Sequence, residues 1–170
     1  MIVLAAVMEW EGLLLNNKNH DRPGVIAPPP LIYLGGIAIG WVIQLLYPIH
    51  FFSKGYIALF GILLILIGCI VIYFGIRTMR LAGTNVNPER PATTVVQSGP
   101  FRFSRNPLYL SLSIIQLGMA IAVNSIWILL TLFVCVVVVT MGVIRREELY
   151  LERKFAEEYL LYKRKVRRWL

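Results

Sequence analysis

Residues 109–144 read YLSLSIIQLGMAIAV, then NS, then IWILLTLFVCVVVVTMGVI, and this stretch decides the class of the fold. Neither arm carries a charged side chain, and only Asn124-Ser125 parts them. Apolar runs of this length are what a bilayer demands of a spanning helix, because only a helix satisfies its own backbone there. Two residues permit nothing but a tight reversal, so Tyr109–Val123 and Ile126–Ile144 predict an antiparallel helical hairpin. The first arm has 15 residues, about 23 Å at ~1.5 Å per residue. It crosses only if its cap region enters the interface or the bilayer thins locally.

Two more apolar blocks lie upstream. Leu31–Tyr47 is interrupted only by Gln44, and Gly55–Ile76 holds no charge. Across the 170 residues the hydrophobic content is 58%, the charged content 15% and the mean hydropathy +0.69, well beyond what a water-soluble domain needs. The expectation is an all-α polytopic membrane protein with four or five transmembrane helices. It forms a single domain over 1–170, with spans near 31–47, 55–76, 109–123 and 126–144, a loop at 77–107 and an amphipathic helical tail at 145–170. Met1–Leu15 is apolar but short and carries Glu9 and Glu11. It reads as an interfacial helix or partial span, since a cleaved signal peptide would want a positive leader and a small-residue cleavage site.

Charge sets the orientation. With four spans, Lys18 and Arg22, the five arginines at 77, 80, 90, 102 and 105, and the nine cations of the tail share one side, so 16 of 17 Lys and Arg sit together and only Lys54 faces the other way. The positive-inside bias makes that side the cytosol, which points to the inner membrane with a cytosol-facing site. The net charge of +8 then needs no nucleic acid, though anionic lipid headgroups would be attracted to it. Cys69 and Cys135 lie inside spans without paired spacing or a neighbouring His, which excludes disulfide and zinc readings and leaves them as packing residues.

Chemistry concentrates in the cation-rich segments. Gly83, Pro88 and Pro91 make Arg77–Gln97 a loop. Ser98-Gly-Pro-Phe-Arg-Phe-Ser-Arg-Asn-Pro-Leu-Tyr109 follows, with Asn106 suited to an N-cap and Pro107 to the first helical position. A helix N-terminus beside Arg102 and Arg105 can hold an anion, although Asn-Pro can equally just start a helix. In the tail, Leu151, Phe155, Tyr159, Tyr162, Val166 and Trp169 share one helical face, with Glu148 on it and Glu147 and Glu158 at its margins. Carboxylates on an apolar face need partners: Arg102, Arg105 or a cationic ligand. An interfacial helix with two glutamates favoured in its first turn is the plainer reading.

Taken together, Ser98–Tyr109, the tight hairpin, Arg145-Arg146-Glu147-Glu148, Leu151, Phe155, Glu158-Tyr159, Tyr162 and Arg167-Arg168-Trp169 resemble the isoprenylcysteine carboxyl methyltransferase family and its bacterial relatives, a group also similar to phospholipid methyltransferases. Asp21–Pro30 resembles the lead into the first span of bacterial members. The resemblance implies a membrane-embedded methyltransferase using S-adenosylmethionine without a Rossmann domain, in keeping with the lack of a GxGxxG after a strand. It also implies that Arg105, Asn106, Pro107, Tyr109, Glu147 and Glu148, with Tyr159 and Tyr162, form the cofactor pocket, and that Glu147, Glu148 and Arg105 serve catalysis. Asn106 stands where the family often has His, which puts a base at that position in doubt. The implied acceptor is lipophilic, an isoprenylcysteine or other isoprenoid carboxylate, with a phospholipid amine or small thiol as alternatives. A non-enzymatic scaffold or carrier is the competing class, and spans without charge argue against a carrier.

Overall fold

The computed structural model describes residues 23–52, 57–88 and 90–170, all helix and connecting chain with no strand among them. The segment Met1–Leu15, with Lys18, Arg22 and Lys54, lies outside the described residues. Five α-helices follow in order: α1 Pro29–Leu46, α2 Ile57–Leu81, α3 Pro107–Ala122, α4 Ile126–Val139 and α5 Arg145–Lys165. Three helical stretches are long and apolar enough to cross a membrane: α1, α2, and the continuous run Ile126–Lys165, whose apolar part is α4. The shorter, 16-residue α3 completes the bundle.

The helix limits follow from local chemistry. Pro29 and Pro30 sit in the first turn of α1, where a missing N–H costs nothing, so the helix starts two residues before the expected Leu31. Helix α2 runs a turn past Ile76, to Leu81, because Arg77 and Arg80 are good helix formers and do not stop it. Gly83 does, at φ +69°: its N–H donates to Arg80 O (3.0 Å) while Thr84 N–H donates to Met79 O (3.1 Å), a Schellman cap. At the hairpin, the Ser125 hydroxyl accepts from Ile128 N–H at the start of α4.

No break separates the last span from the tail. Helix α4 passes through a five-residue π turn, Thr140–Ile144, directly into α5. The tail is instead broken at Ala156, where φ +42° and ψ −116° leave helical space. Val166 is already extended, so the single tail face expected from Leu151 to Trp169 is divided among two helical pieces and an extended strap.

Packing uses small residues, since lipid offers apolar side chains no reason to leave it. Gly61, Gly68 and Gly75 recur every seventh residue along α2 and lie against α3 at Gly118 and Ala122, at Ser111 and Ile115, and at Leu108. A Cβ at any of them would collide with α3. Helix α1 approaches α4 through Gly36 and Gly40, and Tyr33, Leu132, Cys135, Val139, Val143 and Ile144 form the core. Cys135 is buried there, whereas Cys69 lies exposed on α2, so the packing role expected of both holds for Cys135. Buried polar groups pair across helices: Tyr33 OH with Ser113 Oγ (2.7 Å), and Gln116 Nε2 with Thr131 Oγ1 (3.1 Å).

At one end of the bundle, Asn124 ties the α3–α4 turn to the chain after α1. Its Oδ1 accepts from Phe51 N–H (2.8 Å) and Phe52 N–H (3.1 Å), and its Nδ2 donates to Phe52 O (2.6 Å). Every described Lys and Arg lies at the other end, with the loop after α2 and the tail.

Candidate functional site

The cation-rich end encloses a cavity of about 130 Å³, roofed by the loop from Thr84 to Val96 and floored by the start of α3 and the first turns of α5. The roof is fastened by Thr93 N–H to Thr84 Oγ1 (3.1 Å), and by Ala92 N–H to the Tyr150 hydroxyl (3.2 Å). Of the residues singled out in the sequence, Arg105, Asn106, Pro107, Tyr109, Glu147, Glu148, Tyr159 and Tyr162 all line this cavity. The hairpin geometry is the reason. Its arms return the chain to the level at which α3 began, so Tyr109 OH donates to Glu147 Oε1 at 2.6 Å across 38 residues of sequence.

The two glutamates have different surroundings. Glu148 is buried, and both its oxygens are taken: Arg168 Nε reaches Oε1 (3.0 Å), Arg168 Nη2 reaches Oε2 (2.7 Å), and Arg105 Nη1 stands 3.1 Å from Oε1. Glu147 has the Tyr109 hydroxyl as its one hydrogen-bond donor among the described residues. Burial pushes its carboxyl up to about 7, with the Tyr109 hydrogen bond pulling it down and the Glu148 charge raising it further. Tyr159 is pushed up to about 12 by burial and by Glu148, against the pull of Arg105. Tyr162, raised chiefly by burial, donates to Phe101 O (2.7 Å).

Arg105 is 7% exposed, and neither Nε nor Nη1 completes a hydrogen bond, so the contact with Glu148 is an ion pair of imperfect angle. Buried donors of this kind call for an acceptor. Because α5 continues a helix rather than starting one, a free helix terminus does not account for the acidic pair, and the plainer reading of Glu147-Glu148 loses its basis.

Several expectations need correction. Arg102 is exposed and pairs with nothing on Glu148; Arg168 takes that place. Asn106 is the N-cap residue, but its side chain makes no cap bond and donates to Arg168 O (3.0 Å) instead. Glu158 faces outward. Arg168, Tyr150 and Phe101 were missed as site residues. Arg168 had a signal in the Arg167-Arg168-Trp169 run, but on a wheel carried straight through Ala156 it falls away from Glu148.

A family description for phospholipid methyltransferases matches residues 56–158, from the start of α2 into the second piece of α5. The chain belongs to the phospholipid methyltransferase family. This is the family of isoprenylcysteine carboxyl methyltransferase-like membrane enzymes, so the protein is a membrane methyltransferase by descent. A Haemophilus influenzae protein described as uncharacterized is 43% identical over 63 residues, which is 37% of this chain and all of that relative. No solved structure matches. The matched region of this family member holds every cavity residue singled out from the sequence except Tyr159 and Tyr162.

Proposed function

We propose that this protein is an S-adenosylmethionine-dependent methyltransferase, with its site on the cytosolic face of the inner membrane, that methylates a lipophilic carboxylate such as an isoprenylcysteine or another isoprenoid acid. The observation that carries the reading is the unfinished hydrogen bonding of the buried Arg105 side chain in a cavity that also presents Glu147 and four tyrosines. These groups fit the cofactor, which bears a carboxylate, an ammonium and a sulfonium. Arg105 would hold a carboxylate through its free N–H groups, and Glu147 an ammonium. Tyr109, Tyr159 and Tyr162 supply ring faces for a cation, worth ~0.5–2 kcal/mol each.

When bound, S-adenosylmethionine supplies a methyl on a positively charged sulfur and departs as a neutral thioether. The acceptor oxygen takes the methyl with its own electron pair, and a carboxylate is already ionised at neutral pH. Nothing here asks for a base at Asn106. The chain's task is alignment and exclusion of water, which can supply many kcal/mol of the barrier. Residues 84–88 and 90–96 roof the cavity, and we place the start of α3 at membrane-surface depth, where an acceptor's apolar tail stays in lipid.

A phospholipid amine is the second reading, favoured by Glu147. An ammonium must lose its proton before it attacks, and a carboxyl near pKa 7 is matched to that task. Purified protein in detergent should bind S-adenosylmethionine and S-adenosylhomocysteine at micromolar levels, and binding of neither would end the proposal. With labelled cofactor, turnover should rise with acceptor tail length, each buried methylene adding up to ~0.8 kcal/mol. A short water-soluble thiol turned over equally well would defeat the lipid-facing groove. For orientation, His50→Cys should label only from outside the cell and Ser98→Cys only from inside; both positions are exposed.

A further inference from the structure

The segment after α5 does more than end the helix. At Val166 the chain turns extended and leaves the helix, and the residues after it lie back along the approach to α3: Arg105 N–H donates to Arg167 O (3.0 Å), and Ser104 Oγ (3.3 Å) and Asn106 Nδ2 (3.0 Å) donate to Arg168 O. Trp169 packs against the core cluster. The strap is thus fastened through its main-chain oxygens to the three residues that precede Pro107, by one main-chain and two side-chain donors. The Arg168 side chain then turns into the site and closes on Glu148.

We infer that Arg168 is a positioning residue that latches this strap onto Glu148 and thereby sets the Arg105 guanidinium, leaving Arg105 and Glu147 as the groups that face a ligand. Three observations bear on it. Both Glu148 oxygens already face arginines, so its charge is countered twice over and a ligand's ammonium would gain little from it. The pairing by Arg168 is two-pronged, a geometry that only a planar guanidinium supplies and that fixes the carboxylate plane. The fixed Oε1 is the atom that Arg105 Nη1 approaches. Two arginines against one carboxylate also leave the cluster with a positive charge, which suits an anionic group beside Arg105.

The inference rests on the proposed cofactor only for what the cavity holds; the latch itself can be read without any ligand. Amide exchange of the full-length protein in detergent is the first measurement. Arg168→Gln should speed exchange at the Arg105 amide at least tenfold, and Arg168→Lys should give an intermediate value, since a lysine engages one oxygen only. Unchanged exchange in Arg168→Gln overturns the latch. The second measurement is S-adenosylhomocysteine binding: Arg168→Gln should weaken it at least tenfold, Arg168→Lys less. Glu148→Gln combined with Arg168→Gln should bind no more weakly than the worse single variant, because both act through the same carboxylate. Released exchange with unaltered binding overturns the positioning role. Should the wild-type protein bind no S-adenosylhomocysteine, the functional proposal fails, and the exchange measurement alone decides the latch.

Discussion

The two ends of this bundle are closed in opposite ways. At the end held by Asn124, one neutral side chain satisfies three main-chain groups, Trp127 Nε1 donates to Tyr47 O (2.6 Å), and no described residue carries a charge. Among the described residues, this end is closed by neutral side chains bonded to nearby main chain. At the other end a long loop, a strap and a continuing helix meet around ionised groups. There the pairing is left incomplete at Arg105, while Glu147 sits in surroundings that raise its carboxyl to about 7. A membrane protein of this size can keep one end inert and load the other with chemistry because the hairpin returns the chain to the same level.

That contrast can be broken most severely at Glu148. Glu148→Gln leaves the nearly buried Arg105 without its counter-charge, and breaking such a pair costs about 3 kcal/mol. The expected result is a clear fall in thermal stability in detergent, with ligand binding lost at the same time. Near-native stability would mean that the charges at this end are solvated rather than built in.

Glu147→Gln sharpens the comparison, since it should spare stability at neutral pH and weaken cofactor binding at least tenfold, ~1.4 kcal/mol or more. The linkage has a definite sign. A carboxyl raised from 4.5 to about 7 in the fold keeps a proton that the unfolded chain has lost, so its contribution is greatest below pH 4.5 and falls as pH rises to about 7. Binding of a cationic ligand should strengthen over the same rise. Melting temperature and binding measured from pH 4.5 to 8 test both, and the Gln variant should flatten both curves.

The smallest effect belongs to the inert end. Asn124→Gly keeps the left-handed conformation at φ +53° but removes the side-chain bonds, at about 1 kcal/mol of stability. Ligand affinity should not change. An affinity loss there would show that the two ends are coupled through α3 or α4.

What was legible in the sequence divides along physical lines. Hydrophobic runs and turn residues act locally, so the hairpin at Asn124-Ser125 and the start of α3 at Pro107 could be read directly. Because the hairpin fixes which segments meet, the return of Glu147 to the level of Asn106 at the start of α3 followed from counting. The pairing of Arg168 with Glu148 was not legible, because the tail is kinked at Ala156, which nothing in alanine's own preferences suggests. The Asn106 side chain was misread for a related reason: N-capping is its local habit, but a main-chain oxygen from residue 168 competes for it and wins. The end of α2 was placed too early because charge marks the edge of lipid, whereas helix ends are set by residues such as Gly83.

The π turn at Thr140–Ile144 has a consequence for how this site can change over time. A turn of this kind amounts to one residue more than an α-helix needs, and one residue is worth about 100° of rotation. Gly142 within it is buried against Ile26, and its carbonyl oxygen accepts from Ile26 N–H (3.3 Å). Loss of a single residue, such as outward-facing Met141, would leave the span as greasy and nearly as long as before, yet swing Glu147, Glu148 and Tyr150 a quarter-turn or more out of the cavity. Under the proposed function, the chemistry hangs on a phase rather than on a composition, and a one-codon deletion in an apolar stretch is expected to silence it while the membrane still accepts the chain.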